Sequence, residues 1–178
     1  PTALSICEDL WTPKVAKQAE QAGARLLINI NASPYHADKL AEREKILAER
    51  VHATGLNIIY LNLVGAQDEL VFDGASMVVN QTDDIVFRAP QFEEGLYMLD
   101  VQQNNDKLTF GFSLPSANVL SRLESIYQAL VLGVRDYVRK NGFSGAVIGL
   151  SGGIDSALTL AIAVDALGAE NVEVLIMP

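Results

Sequence analysis

The chain reads as an α/β protein built on largely parallel sheets, and three observations predict that class. Short apolar runs alternate with amphipathic helical stretches from residue 1 to about 100. A second strand–helix–strand alternation closes the chain. Nearly half of the 178 residues, 49%, are hydrophobic, enough for a buried core. Alternation of this kind implies right-handed βαβ crossovers and parallel neighbours.

The elements follow in order. Ala3-Leu4-Ser5-Ile6 is a strand ending at Cys7. A helix over Lys14 to Ala22 has Pro13 suited to its first turn and Gly23 as its stop. Arg25 to Ile30 is a second buried strand. Residues 37–54 form a charged helix whose apolar stripe is Leu40, Ile46, Leu47 and Val51, closed by Gly55. Asn57 to Leu63 is a third strand. The pattern then changes to short strands over Glu69 to Phe72, Ser76 to Asn80 and Ile85 to Arg88, separated by Asp-Gly and by Gln81-Thr82-Asp83-Asp84. These read as antiparallel hairpins extending the sheet, with Leu96 to Val101 as the last strand.

The polar run Gln102 to Lys107 lacks periodicity, and Ser113-Leu114-Pro115-Ser116 follows it, so the domain boundary is expected there. That divides the chain into 1–101, a linker over 102–116, and 117–178. In the last part, Leu123, Ile126, Tyr127, Leu130, Val134 and Val138 mark one long amphipathic helix ended by Asn141-Gly142. It feeds the apolar strand Gly145 to Leu150, a helix over Ser156 to Leu167 and a strand over 172–177. A strand stands almost at each end without the helix that normally covers it, so an interior segment of a longer protein is expected.

Composition removes several function classes. The net charge is −9, from 13 basic and 22 acidic residues, which argues against nonspecific nucleic-acid binding. A single cysteine excludes an internal disulfide framework and suits a reducing compartment. No apolar run reaches the roughly 18 residues needed to span a bilayer, and no signal-peptide pattern opens the chain. A cytoplasmic enzyme with no membrane partner is the expectation.

The densest chemistry lies in Ser151-Gly152-Gly153-Ile154-Asp155-Ser156, between an apolar strand and an Ala- and Leu-rich helix. Glycines there let backbone N–H groups turn onto an anion, and the helix adds its positive N-terminal end. The turn has no Lys where a Walker A loop would place one. An ordinary strand-to-helix turn would need the glycines but not two hydroxyls and a carboxylate as well. At the other end, Cys7 closes the first strand, where ligands of open α/β sheets gather. A small buried hydrophobe is the competing reading, against which stand its acidic neighbours Glu8 and Asp9. Those carboxylates by themselves disfavour a thiolate, so a nucleophilic Cys7 requires a cation from elsewhere.

The string Ser151 to Ser156 resembles the pyrophosphate-binding loop of the N-type ATP pyrophosphatases. Ile6-Cys7-Glu8-Asp9-Leu10-Trp11 looks like a nitrilase-type glutaminase domain, together with Asn31-Ala32-Ser33-Pro34-Tyr35, Ala41-Glu42-Arg43-Glu44 and Gln67 to Gly74. The pairing of the two resembles the glutamine-dependent NAD⁺ synthetase family, over roughly residues 1–100 and again past the boundary. The resemblance implies a partial α-β-β-α sandwich followed by the start of a Rossmann-like doubly wound sheet. It implies Cys7 as the nucleophile that forms a thioester with glutamine and releases ammonia. The family's glutamate base and lysine precede the cysteine and fall before residue 1, so the segment as given is expected to be inactive as a glutaminase.

By the same resemblance Glu8 binds the α-ammonium of glutamine, Ser33 gives a hydrogen bond and Lys39 faces the α-carboxylate. A helix cap and a solvated lysine remain the alternative for Ser33 and Lys39. His36 and His52 carry no assigned role. Ser151, Gly152, Gly153, Ile154 and Ser156 are expected to cradle the ATP pyrophosphate, and Asp155 to ligate Mg²⁺. The implied partners are glutamine, deamido-NAD⁺ and ATP, in a symmetric homo-oligomer. The rivals are another adenylating amidotransferase or thiolase with the same loop, and a regulatory nucleotide-binding module whose cysteine is structural.

Overall fold

The computed structural model describes residues 1–105 and 107–177. Its first elements are β1 (Thr2–Ile6), α1 (Pro13–Gln21), β2 (Leu26–Asn31), α2 (Lys39–Thr54) and β3 (Asn57–Asn62). Then come β4 (Val64–Gln67), β5 (Leu70–Asp73), β6 (Met77–Val79), β7 (Ile85–Arg88), β8 (Leu99–Asn104) and β9 (Lys107–Phe112). The last are α3 (Arg122–Lys140), β10 (Ala146–Leu150), α4 (Ile154–Leu167) and β11 (Val172–Ile176). The expected α/β class is what is observed. By packing, the described chain forms two units, Pro1–Val64 with Phe72–Leu120, and Gly65–Val71 with everything from Ser121 onward.

In the first unit five strands form one sheet in the order β1-β2-β3-β6-β7. β1, β2 and β3 are parallel, as their helical crossovers require, whereas β6 and β7 add antiparallel. Because side chains alternate across a strand, the register defines rows on the face that α1 and α2 cover. Ala3, Leu27, Ile58 and Val79 make an apolar row, which packs with Ala16, Ala19, Leu47 and Val51 into the main core. The next row toward the strands' carboxyl ends is Ser5, Asn29, Tyr60 and Met77. The sheet therefore changes from apolar to polar on one face, in the direction in which α/β sheets bind ligands. Burying each leucine of the apolar part contributes roughly 1.5–3 kcal/mol.

The helices start and stop where backbone chemistry dictates. Pro13 occupies the first turn of α1. Gly55 closes α2 at φ 67, its N–H returning to the carbonyl of Val51. Ser121 and Glu124 form a reciprocal capping box at the start of α3, with Arg139 and Lys140 in its last turn.

Three features differ from the sequence expectation. The stretch 102–116 is not an irregular linker, because β8 and β9 form an antiparallel ladder from Leu99 opposite Phe112 to Asn104 opposite Lys107. Alternate residues Leu99, Phe110 and Phe112 pack on Val78, Phe87 and Ala89, which holds an otherwise polar sequence in strands. Residues 116–120 are also tied back, through Ser116 Oγ accepting from the N–H of Arg88 and the N–H of Ala117 donating to the carbonyl of Arg88. Second, Val64–Gln67 is an additional strand, so β5 pairs with β4 instead of joining the main sheet. Third, the strand after Leu96 begins at Leu99 and runs on to Asn104.

In the second unit β10 and β11 pair in parallel around α4, while α3 packs on α4 through Val138, Ala166 and Leu167. The β4–β5 tip belongs to this unit. Asp136 of α3 accepts the N–H of Ala66 at 2.8 Å, and Lys140 donates to the carbonyl of Ala66 at 2.7 Å. No helix among the described residues is long and apolar enough to cross a membrane.

Candidate functional site

Cys7 follows β1 directly and opens a 3-10 turn, Cys7–Leu10. Its φ is 50, in the left-handed region that a residue with a Cβ rarely adopts. The turn is held by Asp9, whose Oδ2 accepts the N–H of Ile6 at 2.8 Å. Since Ile6 pairs with Ile30, Cys7 stands abreast of Asn31 at the strands' carboxyl ends. Strain of this kind persists only where surrounding contacts enforce it, and it concentrates at functional sites. The thiol is partly exposed.

Beneath Cys7 runs a buried amide ladder. Asn29 Nδ2 donates to Ser5 Oγ at 2.9 Å and to the carbonyl of Cys7 at 3.4 Å, while Asn31 Nδ2 donates to Asn29 Oδ1 at 2.6 Å. Burial pushes the Tyr60 hydroxyl up from its usual range, against the opposing influence of the Arg43 charge and the Ser33 hydroxyl.

The residues singled out from the sequence fall in different settings. Ser33 is buried just past β2, where its N–H donates to Asn62 Oδ1 at 2.9 Å and its Oγ accepts from Arg43 Nε at 3.2 Å. Lys39 begins α2 and is not a solvated lysine: its side chain is 13% exposed and its Nζ sits 3.8 Å from the Trp11 ring centroid. The same ammonium donates to Glu42 Oε2 at 2.8 Å, which lowers the Glu42 carboxyl below its usual range. Glu8 is exposed on the 3-10 turn and His36 lies 3.5 Å from Glu42. Trp11 thus links the turn of Cys7 to the first residue of α2.

Arg43 and Asp73 were not given roles from the sequence, yet they form the most deeply buried charged pair among the described residues, 2.7 Å apart at 2% and 0% exposure. Asn29, Asn31, Asn62 and Tyr60 were also passed over. A parity signal could have found them: Ser5, Asn29 and Asn31 share one face with Leu27, and Tyr60 and Asn62 share it with Ile58.

The second candidate site is the corner between β10 and α4. Gly152 has φ 79 and Gly153 is the N-cap of α4, with no side chain capping the helix. The first amides of α4 are therefore open to an external acceptor. A Cβ at Gly152 would meet no atom within 4 Å, so its place is open space shaped by backbone conformation and not by neighbouring protein. Ser156 Oγ lies 3.3 Å from Ser151 Oγ and donates to the carbonyl of Gly153 at 3.0 Å, drawing the two hydroxyls together at the turn. Ile154 is fully outward at 80% exposure. The concave backbone, uncapped helix end and paired hydroxyls fit an anionic phosphate chain.

Asp155 is exposed in the first turn of α4 and forms no ion pair among the described residues. Those residues hold no group of three or more His, Cys, Asp or Glu side chains able to enclose a metal. Asp155 therefore fits Mg²⁺ only as one carboxylate shared with phosphate oxygens, the mode that ion favours with nucleotides.

Comparison with known proteins finds matches to both parts of the chain. Residues 2–107 match the family model for carbon-nitrogen hydrolases, and residues 126–178 match that for NAD synthase. The glutamine-dependent NAD(+) synthetase of Acinetobacter baylyi is 43% identical over 175 residues, covering 97% of this chain and 31% of that protein. That of Rhodobacter capsulatus is 44% identical over 183 residues, covering 100% and 32%. The solved glutamine-dependent NAD+ synthetase of Acinetobacter baumannii, in complex with ADP, superposes with a TM-score of 0.91 at 45% identity, over 99% of this chain and 33% of that one. The chain thus spans about a third of the length of these relatives. With its strand-end cysteine inside a match that covers more than half of its residues, the chain belongs to the carbon-nitrogen hydrolase family.

Proposed function

We propose that the protein carrying this chain converts deamido-NAD⁺ to NAD⁺ with ATP, using ammonia released from glutamine. One observation carries the reading: a strained cysteine at the head of a polar strand-end site and an uncapped glycine corner for phosphates occur in one chain. Relatives of that name, 43% and 44% identical along the chain, support it. Against the rival in which the cysteine is structural stands its setting, partly exposed directly after β1 and beside a ladder of buried amides. The domain division follows the same reading, with the amide-hydrolysing part first and the nucleotide part from α3 onward.

In the first part, the Cys7 Sγ attacks the side-chain amide carbon of glutamine. The C–N bond breaks, ammonia leaves carrying the proton the thiol gives up, and a thioester remains that water cleaves to glutamate and free thiol. Glu8 faces the α-ammonium, while Ser33 and Lys39 address the α-carboxylate. Lys39 must then exchange part of its contact with Glu42 for the substrate.

In the second part a carboxylate oxygen of deamido-NAD⁺ attacks the α-phosphorus of ATP and pyrophosphate departs. Ammonia then displaces AMP from the adenylate to give the amide. Ser151, Gly152, Gly153, Ile154 and Ser156 hold the pyrophosphate through backbone amides and hydroxyls. Mg²⁺, when bound, supplies charge neutralisation for the phosphate oxygens. Asp155 presents the carboxylate that would hold it.

The test uses the intact protein with Cys7→Ala. Glutamine-driven NAD⁺ formation should be abolished while formation from free ammonia survives. Loss of both together would make Cys7 structural.

A further inference from the structure

Arg43 projects from α2 and divides its guanidinium between one loop and the Asp73 carboxylate. Nε donates to Ser33 Oγ at 3.2 Å, and Nη2 donates to the carbonyls of Ser33 at 2.8 Å and Pro34 at 3.2 Å. Nη1 pairs with Asp73 Oδ1 at 2.7 Å, and Gln91 Nε2 lies 3.5 Å from the other carboxylate oxygen. A fully buried charge pair gains little for stability against two apolar side chains of similar volume, so its geometry is the more informative property. The planar fork reaches a side-chain oxygen, two carbonyls and a carboxylate at once, which the single ammonium of a lysine cannot.

The loop so held runs from Asn31, abreast of Cys7, through Ser33 and Pro34 to Tyr35. Asn62 holds it from the β3 side, accepting the N–H of Ser33. The loop is thus fixed from two elements. Hydrogen-bond direction adds a second consequence. Arg43 has no acceptor, so it fills a lone pair of Ser33 Oγ and leaves the hydroxyl proton for another group. A hydroxyl that accepts from a cation is also polarised as a donor. The Ser33 hydroxyl, whose neighbour within the protein is the Tyr60 hydroxyl, is therefore set to donate to an oxygen such as that of a carboxylate, not to meet an ammonium.

We propose that Arg43, anchored by Asp73, is a positioning residue of the amide-hydrolysing site: it fixes the 33–34 backbone and orients Ser33 as a donor to the carboxylate of glutamine. The proposal rests on the glutaminase reading above. Arg43 does not touch Cys7, so its loss should weaken glutamine binding without slowing the chemical steps. Losing an interaction made equally in ground and transition states raises KM and leaves kcat.

The decisive variant is Arg43→Lys in the intact protein, because a lysine keeps the buried charge opposite Asp73 while giving up the fork to the loop. The glutamine KM should rise about tenfold, the affinity carried by one hydrogen bond to a charged group. Glutamine kcat and ammonia-driven synthesis should remain near wild type. Ser33→Ala should raise KM similarly, and the double variant should be no worse than the more affected single one, because both remove one coupled contact. An unchanged KM in Arg43→Lys, or full additivity with Ser33→Ala, overturns the proposal. A purely structural pair would show instead as a lower melting temperature with glutamine and ammonia activities falling in parallel.

If Arg43→Lys does not fold, Asp73→Asn supplies the same test, since it leaves every loop contact in place and loosens only the anchor. KM should again rise, and an unchanged value there overturns the proposal. Cys7→Ala, run alongside, separates the two levels. Glutamine-driven activity surviving in Cys7→Ala defeats the glutaminase reading, whereas a dead Cys7→Ala beside an unaffected Arg43→Lys defeats only the role of Arg43.

Discussion

The left-handed backbone at Cys7 makes a prediction that separates stability from chemistry. Both Cys7→Ala and Cys7→Gly remove the sulfur from a partly exposed position, so loss of side-chain packing is nearly common to the two. They differ in what they do at φ 50. A residue with a Cβ costs about 1–2 kcal/mol in the left-handed helical region, and glycine removes that cost. Against it, glycine frees the unfolded chain, worth about 0.4–1 kcal/mol. The balance favours Cys7→Gly over Cys7→Ala by about 0.5–1 kcal/mol, or about 1–4 °C in the melting of a unit of this size. Thermal melts of the two variants of the intact protein, side by side, measure it. Both variants should lack glutamine-driven synthesis, so the more stable protein is as dead as the less stable one. If Cys7→Gly melts at or below Cys7→Ala, the turn stores no strain, and the use of that strain as a pointer to the nucleophile is wrong.

Three further predictions address other parts of the account. Asp155→Asn keeps size and most hydrogen bonding but removes the anion, so synthesis should fail with glutamine and with ammonia alike; near-wild-type ammonia-driven rates at limiting magnesium would remove its metal role. Lys39→Ala should raise the glutamine KM far more than it lowers kcat, and an unchanged KM would leave Lys39 as the partner of Trp11 and Glu42 alone. Burial raises the Asp136 carboxyl, but the Ala66 N–H, Lys140 and Arg135 outweigh it and hold it below its usual range. A depressed carboxyl stabilises above its unfolded pKa and loses that contribution as pH falls through the folded one. The hydrogen-exchange protection of the Ala66 amide should therefore drop in acid and become independent of pH in Asp136→Asn.

The parallel strands and their helices were legible because apolar side chains stand on both faces of the strands, as in Leu26 to Ile30, even where the face away from the helices is exposed, and because Pro13 and Gly55 punctuate the helices. The β8–β9 hairpin was obscured by Gln102 to Lys107, where polarity masks a period of two that only Leu108, Phe110 and Phe112 declare. β4 is four residues with a glycine, too short for any period. At the sites, Cys7 stood out as a lone cysteine at a strand end, and Ser151 to Ser156 because two hydroxyls and a carboxylate share one glycine turn. Arg43 and Asp73 lie thirty positions apart, on elements brought together only by folding, so no local spacing announces them. The Lys39 contact with Trp11 is of the same kind: its partner comes from the turn after Cys7, and a helix-start lysine reads as solvated until that turn is placed.

The proposed glutamine hydrolysis requires the thiol of Cys7 to become covalently linked to the glutamyl group during turnover. The most direct measurement is acid quenching of the intact protein during steady-state turnover with glutamine, followed by peptide mass spectrometry. A glutamyl thioester is expected on the peptide containing Cys7, discharged by hydroxylamine and absent from Cys7→Ala. Turnover with Cys7 unmodified at every time point, or an adduct on another residue, would contradict the proposal.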